Sequence, residues 1–195
     1  MSMIRNIRIF LLSLLIFPTY SWARDNQFSD MNEFLLENEE NVKTLLCNGN
    51  RTSELFINGD STSKETNPYI EYLYLGDNGV YLRIDGTLAI LALRLSSSDE
   101  WTTDDPNSKF SMSEDSINYS WKKDDKYYKD NPEESKIRDG IIRTGYFESF
   151  SVDRYSGNLT HKYTQLFTDS VATSLTSERV DTFNAVCKLA GKQQF

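Results

Sequence analysis

The first strongly apolar segment of the chain is Ile9–Phe17, which follows the short basic stretch Met1–Arg8. A proline ends this run, and the sequence Ser-Trp-Ala that closes at Ala23 places small residues three and one positions before a cleavage point. A basic start, a short apolar core and small residues before the cut are typical of a secretory signal peptide. The run is too short for a spanning helix, which needs about 20 apolar residues. We therefore expect residues 1–23 to be removed on export to the periplasm or the extracellular space, leaving residues 24–195 as one domain. The alternative is an uncleaved anchor or a buried helix.

From Met31 onward, apolar residues recur at intervals of three and four positions, which places them on one face of a helix. Ser29 or Asp30 is a suitable N-cap because its side-chain oxygen can accept from the first free backbone N–H groups. The pattern predicts a helix over about 29–42. Residues 43–47 suit either the last helical turn or a strand.

The rest of the chain has the pattern of strands. Val80, Leu82 and Ile84 alternate with polar residues, as expected of a half-buried strand. The turn Gly76-Asp77-Asn78-Gly79 consists of residues that tolerate positive φ, and it predicts a hairpin. The predicted strands are Glu54–Asn58, Ile70–Leu75, Val80–Asp85, Thr87–Leu95, Lys109–Ser113, Ser116–Lys122, Ile141–Asp153, Leu159–Phe167 and Val180–Lys188.

Two of these regions leave alternatives open. Thr87–Leu95 is almost continuously apolar, which favours a central strand buried on both faces, with a short buried helix as the competing interpretation. Residues 96–140 are polar, charged and interrupted by Pro106 and Pro132, so we expect long loops on either side of one hairpin.

Sequential hairpins without a βαβ rhythm indicate the fold class. The sequence predicts a mainly β protein, an antiparallel sandwich or open barrel with one N-terminal helix. Charged residues at 26% and aromatic residues at 13% are typical of a folded chain rather than a disordered one.

The chain has two cysteines, Cys47 and Cys187. An even pair in an exported protein usually forms a structural disulfide, whereas redox-active pairs normally have the close spacing C-x-x-C. We predict a bridge that ties the beginning of the domain to its last strand.

The formal net charge is −8, and removal of a leader whose only charges are Arg5 and Arg8 makes the remaining chain more acidic still, at −10. Negative charge repels nucleic acids and anionic membranes, so neither is an expected partner. The same charge would attract a basic protein.

The sequence offers little material for the common catalytic and metal sites. There is no G-x-S-x-G or H-E-x-x-H motif, and His161 is the only histidine, for which a packed or surface position is the expected role. Calcium could in principle bind Asp99-Glu100 with Asp104-Asp105, or Asp124-Asp125, but neither cluster has the ligand pattern of a calcium loop. We predict no metal site and no cofactor.

Glu148 is the one candidate for carboxylate chemistry. In the predicted strand Ile141–Asp153 it shares a face with Tyr146, Phe150 and Val152. If that face points inward, apolar surroundings would raise the pKa of Glu148 and make it a candidate general acid or a ligand-holding group in a barrel mouth. The alternatives are a break in register at Gly145 or a salt bridge to one of three arginines, Arg83, Arg143 or Arg154.

Aromatic residues in the polar loops are candidates for a binding surface. Trp101, Tyr127 and Tyr128 lie in or beside these loops, where exposed rings can stack on sugars or anchor an interface. Trp121 alternates with Ile117 and Tyr119, so we expect it to pack in the core.

The end of the chain carries a resemblance to known proteins. The segment Val152-Asp153-Arg154-Tyr155-Ser156-Gly157-Asn158-Leu159, followed by the cysteine strand Ala185-Val186-Cys187, resembles the C-terminal turn and single-cysteine strand of small uncharacterised exported bacterial proteins. The resemblance covers about a quarter of the chain and implies no activity. Exported lysozyme inhibitors share only the style of architecture, a small disulfide-tied β domain.

These observations favour a non-catalytic binding or inhibitor-type module whose acidic loops meet a basic protein. The alternatives are a small hydrolase that uses paired carboxylates with Glu148 as the acid, and a barrel that binds a small apolar ligand in its interior.

Overall fold

The computed structural model describes residues 33–39, 41–94, 100–103, 105–138, 140–169 and 175–190. The predicted signal peptide, residues 1–23, lies outside the described residues. None of the helices in the described part of the chain is long and apolar enough to cross a membrane.

Strands dominate the structure, and the helices are short. In chain order the described elements are α1 (33–37), β1 (Lys43–Ile57), β2 (Asp60–Leu75), β3 (Gly79–Ile84), β4 (Thr87–Arg94), β5 (Trp101–Thr102), β6 (Ser108–Met112), β7 (Ser116–Lys123), α2 (Asp125–Asp130), α3 (Pro132–Ser135), β8 (Lys136–Arg138), β9 (Ile141–Asp153), β10 (Asn158–Asp169) and β11 (Thr176–Leu189).

All the strands belong to one antiparallel sheet in the order β5-β4-β3-β2-β1-β11-β10-β9-β7-β6, and β8 pairs with β9. The two ends of this order approach each other, because Trp101 of β5 packs on Phe110 of β6 with ring centroids 5.5 Å apart. The Thr103 hydroxyl also donates to the Ser108 carbonyl at 3.4 Å. The sheet therefore curls into a nearly closed barrel, which confirms the predicted mainly β, antiparallel class and selects the barrel over the sandwich.

The first hairpin is much longer than its sequence pattern indicated. The predicted strands Glu54–Asn58 and Ile70–Leu75 are the ends of β1 and β2, which pair from Lys43↔Leu75 to Ile57↔Asp60. Asn58 and Gly59, with φ of 52° and 88°, supply the tight turn between them. Apart from Pro68, residues 60–68 are polar, and all but the half-buried Ser63 are exposed, so backbone pairing to β1 rather than burial of side chains holds them in the sheet.

The N-terminal helix is confirmed but is shorter than predicted. Within the described residues it covers 33–37 rather than continuing to residue 42, and the open segment 43–47 belongs to β1. The helix ends early because the Glu39 carboxylate is drawn to the β2–β3 turn, where it accepts from the Asn78 backbone N–H at 3.1 Å and the Tyr81 hydroxyl at 3.0 Å. Asn41, with φ of 55°, then redirects the chain into β1.

Thr87–Arg94 forms a strand, which confirms the favoured interpretation of the apolar segment over the alternative of a short helix; Leu95 lies outside the described residues. The predicted central position was wrong, because β4 lies beside the two-residue end strand β5. Ala89, Ile90 and Leu93 are only partly buried. Ala89 and Ile90 line an apolar pocket described below, which explains their apolar character.

The region predicted as long loops contains the expected hairpin, β6 and β7, and also two short helices. Asp124 caps α2 by accepting from the Tyr127 backbone N–H at 3.1 Å. Pro132 begins α3, where its missing N–H costs nothing. Two ion pairs at i,i+4 spacing, Lys126 with Asp130 and Lys129 with Asp125, lie along α2.

The apolar core lies inside the barrel, and the predicted Cys47–Cys187 disulfide is present within it. The two cysteines are directly opposite each other on β1 and β11. The bridge joins β1 to β11, the last strand described, and spans 140 positions of sequence.

Loss of this bridge should lower the stability of the barrel. We expect the double variant Cys47→Ala/Cys187→Ala to lose roughly 2–5 kcal/mol of unfolding free energy in urea, because the unfolded chain regains the freedom of a very long loop. The reduced wild-type protein is the control and should unfold at nearly the same urea concentration as the double variant. Equal stability of the oxidised and reduced forms would contradict a stabilising role for the bridge.

Candidate functional site

The face of β9 that carries Glu148 points inward, which was the condition for its candidacy. Tyr146, Glu148, Phe150 and Val152 are all buried, and Glu148 is 8% exposed. A shift in register does occur beside Gly145, between Leu166 and Phe167 of β10, but it precedes the buried stretch and leaves its alternation intact. The acidic side chain therefore points into the barrel.

The neighbouring strand β10 presents His161 to the same interior. His161 lies in register between Phe150 of β9 and Phe183 of β11, and it is completely buried. From the far side of the curled sheet, β2 presents Glu71, which is 1% exposed and opposite Cys47. Curvature thus brings together side chains from strands that are not neighbours in the sheet.

His161 is held between the two carboxylates. Its Nδ1 lies 2.9 Å and 3.2 Å from the two oxygens of Glu71, and its Nε2 lies 3.1 Å from Oε1 of Glu148. We call these three residues the interior triad. The sequence analysis considered a salt bridge from Glu148 to Arg83, Arg143 or Arg154. In the interior triad the partner of Glu148 is instead His161.

The geometry determines the state of the imidazole. A carboxylate accepts hydrogen bonds, so both ring nitrogens must donate, and only the protonated ring has two N–H groups. Burial alone would lower the pKa of His161, but the charges and hydrogen bonds of Glu71 and Glu148 outweigh burial and raise this pKa to about 10. His161 is therefore an imidazolium at neutral pH.

Tyr146 completes the surroundings of Glu148. Its hydroxyl donates to Oε2 of Glu148 at 3.4 Å. Burial, together with the nearby charge of Glu148, holds the pKa of Tyr146 well above its ordinary value. The phenol consequently stays neutral and remains a hydrogen-bond donor.

A second buried charge lies farther along the same interior. Asp181 of β11 is 0% exposed and receives hydrogen bonds from Ser53 and from Arg179, whose Nε lies 2.8 Å away. Nε of Arg51 is 3.6 Å from the same carboxylate, and its guanidinium covers the rings of Tyr69 and Tyr163. Asp181 is thus compensated by two arginines and takes no part in the interior triad.

Glu71 and Asp181 were not among the candidates from sequence, although a signal for both exists. Each shares a strand face with buried residues, Glu71 with Leu73 and Asp181 with Phe183. The alternation that singled out Glu148 would have found them. No pattern in the sequence could have placed Glu71 against His161, because the contact spans 90 positions and crosses the barrel.

The aromatic candidates do not form one exposed surface. Tyr128 is buried, which corrects the expectation of an exposed loop residue, and it packs with Tyr146 and Tyr163. Tyr127 is partly buried and donates to Glu134 at 2.7 Å. Trp101 is partly buried against Phe110 and the apolar core.

Trp121 packs as expected. Its ring contacts Tyr146 with centroids 5.0 Å apart, and its indole N–H donates to Asp105 at 2.7 Å. Lys123 lies over the same indole, 5.0 Å from the ring centroid, and is paired with Glu134 at 2.7 Å.

An apolar pocket opens between strands β3 and β4 on one side and strands β7 and β9 on the other. It is lined by Leu82, Ile84, Thr87, Ala89, Ile90, Leu91, Tyr119, Trp121 and Glu148. The carboxyl group of Glu148 is the only ionisable side chain in this lining besides the phenol of Tyr119. Glu148, the candidate ligand-holding group, therefore belongs to the interior triad and also lines a cavity.

Within the described part of the chain, acidic, histidine and cysteine side chains do not form a group that could hold a metal ion. Of the acidic clusters considered for calcium, Asp124 caps α2 and Asp125 pairs with Lys129 at 2.5 Å. Asp99 and Asp104 lie outside the described residues.

Comparison of the chain with known protein families found no matching family, and comparison with curated proteins found no relative. The resemblance of the C-terminal segment to small exported bacterial proteins stays a prediction.

The interior triad predicts a specific pH dependence. The pKa of His161 is higher in the folded protein, about 10, than the ordinary value near 6.5 expected after unfolding. Its contribution to stability is therefore complete below about pH 6.5 and is lost as the pH rises through about 10, with a slope of at most about 1.4 kcal/mol per pH unit. Urea unfolding between pH 6 and 10 measures this slope in the wild type and in His161→Gln.

The variant His161→Gln should lack this component, since lysine and tyrosine titrations are common to both proteins. A direct check is available even if the variant does not fold, because His161 is the only histidine. In untagged wild-type protein its ring NMR resonances should remain at imidazolium positions from pH 5 to 9. A titration midpoint near 6.5 would disprove the assignment.

Proposed function

We propose that this protein is an exported, non-catalytic binding module whose partner is a basic protein. The Cys47–Cys187 disulfide is compatible with export, since such bonds persist in oxidising compartments. The leader-like sequence of residues 1–23 supports the same location, the periplasm or the extracellular space.

The observation that carries the non-catalytic part of this proposal is the use of both interior carboxylates by one histidine. A hydrolase with paired carboxylates needs space for the scissile bond between its two acids. Here the imidazole of His161 fills the space between Glu71 and Glu148. Both ring nitrogens are engaged as well, so His161 has no free lone pair with which to activate a nucleophile.

The charge pattern supports one surface over another for a basic partner. The segment 122–136 was expected to be an acidic loop, but five ion pairs neutralise it within itself, each between a lysine and an aspartate or glutamate. By contrast, Asp60 and Glu65 on β2 are exposed, and no ion pair is described for either of them. The segment 122–136 therefore offers a partner little unpaired negative charge, whereas Asp60 and Glu65 on β2 do offer it.

The same part of β2 has a free backbone edge. Pairing between β2 and β3 covers only Tyr72–Leu75. Among the described residues, nothing pairs with the outer edge of β2 from Asp60 to Glu71. A free edge can accept an extended segment of another protein as an added strand. Acidic side chains beside the edge favour a segment rich in lysine or arginine.

Charge reversal on β2 tests this proposal. We expect Asp60→Lys/Glu65→Lys to weaken binding of a purified cationic protein, such as a lysozyme, to residues 24–195 by at least tenfold, about 1.4 kcal/mol. Biolayer interferometry at 50 and 200 mM salt measures the affinity, and wild-type binding should weaken with added salt.

The matched control is Glu114→Lys/Asp115→Lys, which makes the same change of charge in the β6–β7 turn, at the other end of the barrel. It should bind almost as the wild type does. Equal losses in both variants, or affinity that does not depend on salt, would count against a β2 docking surface.

A further inference from the structure

The tight turn between β1 and β2 consists of an asparagine followed by a glycine, and both residues are exposed. We propose that Asn58 is a site of spontaneous deamidation, in which the backbone nitrogen of Gly59 attacks the side chain of Asn58. The product carries a new carboxylate two positions before Asp60 of β2. This inference goes beyond the proposed function and does not depend on it.

The reaction needs only water as a co-reactant, and nothing is oxidised or reduced. The Gly59 nitrogen forms a bond to Cγ of Asn58 and gives up its proton, while the Cγ–Nδ2 bond breaks and Nδ2 leaves as ammonia with a proton from water. Water then opens the resulting five-membered imide. Cleavage of the imide bond to Cγ gives aspartate, and cleavage of the imide bond to the main-chain carbonyl carbon gives isoaspartate.

Gly59 provides an accessible nucleophile. Its φ is 88°, and a Cβ placed on it would meet no atom within 4 Å apart from its chain neighbours, so nothing covers the turn at this point. Because glycine has no side chain, it leaves room for the side chain of Asn58 to approach its nitrogen. It also permits the backbone rotation that accompanies ring closure.

The structure also activates the carbonyl group that is attacked. Oδ1 of Asn58 accepts a hydrogen bond from the backbone N–H of Thr176 at 3.0 Å. Negative charge develops on this oxygen when a nitrogen adds to Cγ, and a donor already in place stabilises that charge, as in an oxyanion hole. The backbone N–H of Asn58 donates to the Thr176 carbonyl at 2.9 Å, which keeps the asparagine beside this donor.

The end of the hairpin next to this turn is held by few contacts. Residues 60–68 of β2 pair with β1 on one side, and none of the described residues pairs with them on the other. All of them except the half-buried Ser63 are exposed. Strand ends of this kind open locally at a small cost in free energy. The turn can therefore reach the geometry of ring closure while the barrel stays folded.

Two other asparagines of the chain precede a glycine, and the structure protects both. The pair Asn48-Gly49 lies within β1 between β2 and β11, where a Cβ on the glycine would collide with the β11 backbone. Glu39 holds Asn78 by accepting from its backbone N–H at 3.1 Å and from its Nδ2 at 3.4 Å, and Gly79 is buried. Both pairs must leave these contacts before they can react.

Site-resolved mass spectrometry of residues 24–195 tests the proposal. After incubation of the disulfide-bonded protein at pH 8, we expect deamidation at Asn58 to be at least about tenfold faster than at Asn48 or Asn78, which react only after larger openings of the sheet. Electron-transfer dissociation locates each change and distinguishes aspartate from isoaspartate. In the reduced protein unfolded in urea, all three sites should react at similar rates, because each asparagine precedes a glycine.

The variant Gly59→Ala tests the role of the glycine nitrogen. The added methyl group hinders the attack, so deamidation of Asn58 should become at least about tenfold slower. The matched control is Gly86→Ala in the β3–β4 turn, where the glycine has a φ of 81° and equally open surroundings, and it should leave the rate at Asn58 unchanged. Circular dichroism establishes that the variants are folded, and the comparison of folded with unfolded wild type needs neither of them.

The proposal is overturned if Asn48 or Asn78 reacts as fast as Asn58 in the folded protein. It is equally overturned if Asn58 stays unmodified in the folded protein while it reacts in urea, or if folded Gly59→Ala reacts as fast as the wild type. None of these measurements involves a binding partner, so their outcome is separate from the test of the β2 docking surface.

Discussion

The placement of His161 between Glu71 and Glu148 constrains the whole barrel. A charge removed from water is tolerated only when it is paired with good geometry, and removal of one partner from a buried pair typically costs about 3–5 kcal/mol. The three members come from β2, β9 and β10. The sheet must therefore curl until β2 faces β10, with β1 and β11 between them. A flatter sheet would move Glu71 of β2 away from His161, whereas Glu148, on the strand next to β10, could keep its contact.

The disulfide favours the same curvature of the sheet. Cys47 lies directly opposite Glu71 on one side and Cys187 on the other. The bridge fixes β1 to β11. The strand β2, which carries Glu71, pairs with β1, and the strand β10, which carries His161, pairs with β11. The covalent link and the ionic contact thus favour the same curvature. This agreement explains how a domain with so many polar interior groups keeps one arrangement.

The charged groups inside the barrel and those on its surface have different surroundings. Inside the barrel, Glu148 and His161 engage each other in the interior triad. Glu148 also lines the apolar pocket. Outside, the helical segment neutralises its own charge, and the free edge of β2 keeps its acidic residues available.

Local pattern predicted the features that depend on local physics. Alternation of apolar and polar residues predicted most of the strands after residue 69, though not the short strands β5 and β8, and it raised an inward-facing Glu148 on β9 as one alternative. Residues with tolerance for positive φ predicted the β2–β3 turn. The pattern failed where long-range pairing decides the structure. Residues 60–68 form a strand only because β1 lies beside them, and the helix ends before Asn38 because Glu39 binds a distant turn.

The sequence by itself thus determined a disulfide-tied antiparallel β domain, because period-two alternation and cysteine count are local properties of the chain. Only the tertiary structure decided that the sheet closes into a barrel, that Glu71 and His161 meet Glu148, and that β4 borders the apolar pocket rather than the centre of the sheet. Closure brings together residues whose separation in sequence carries no periodic signal, and electrostatics in a buried site then depends on those contacts alone.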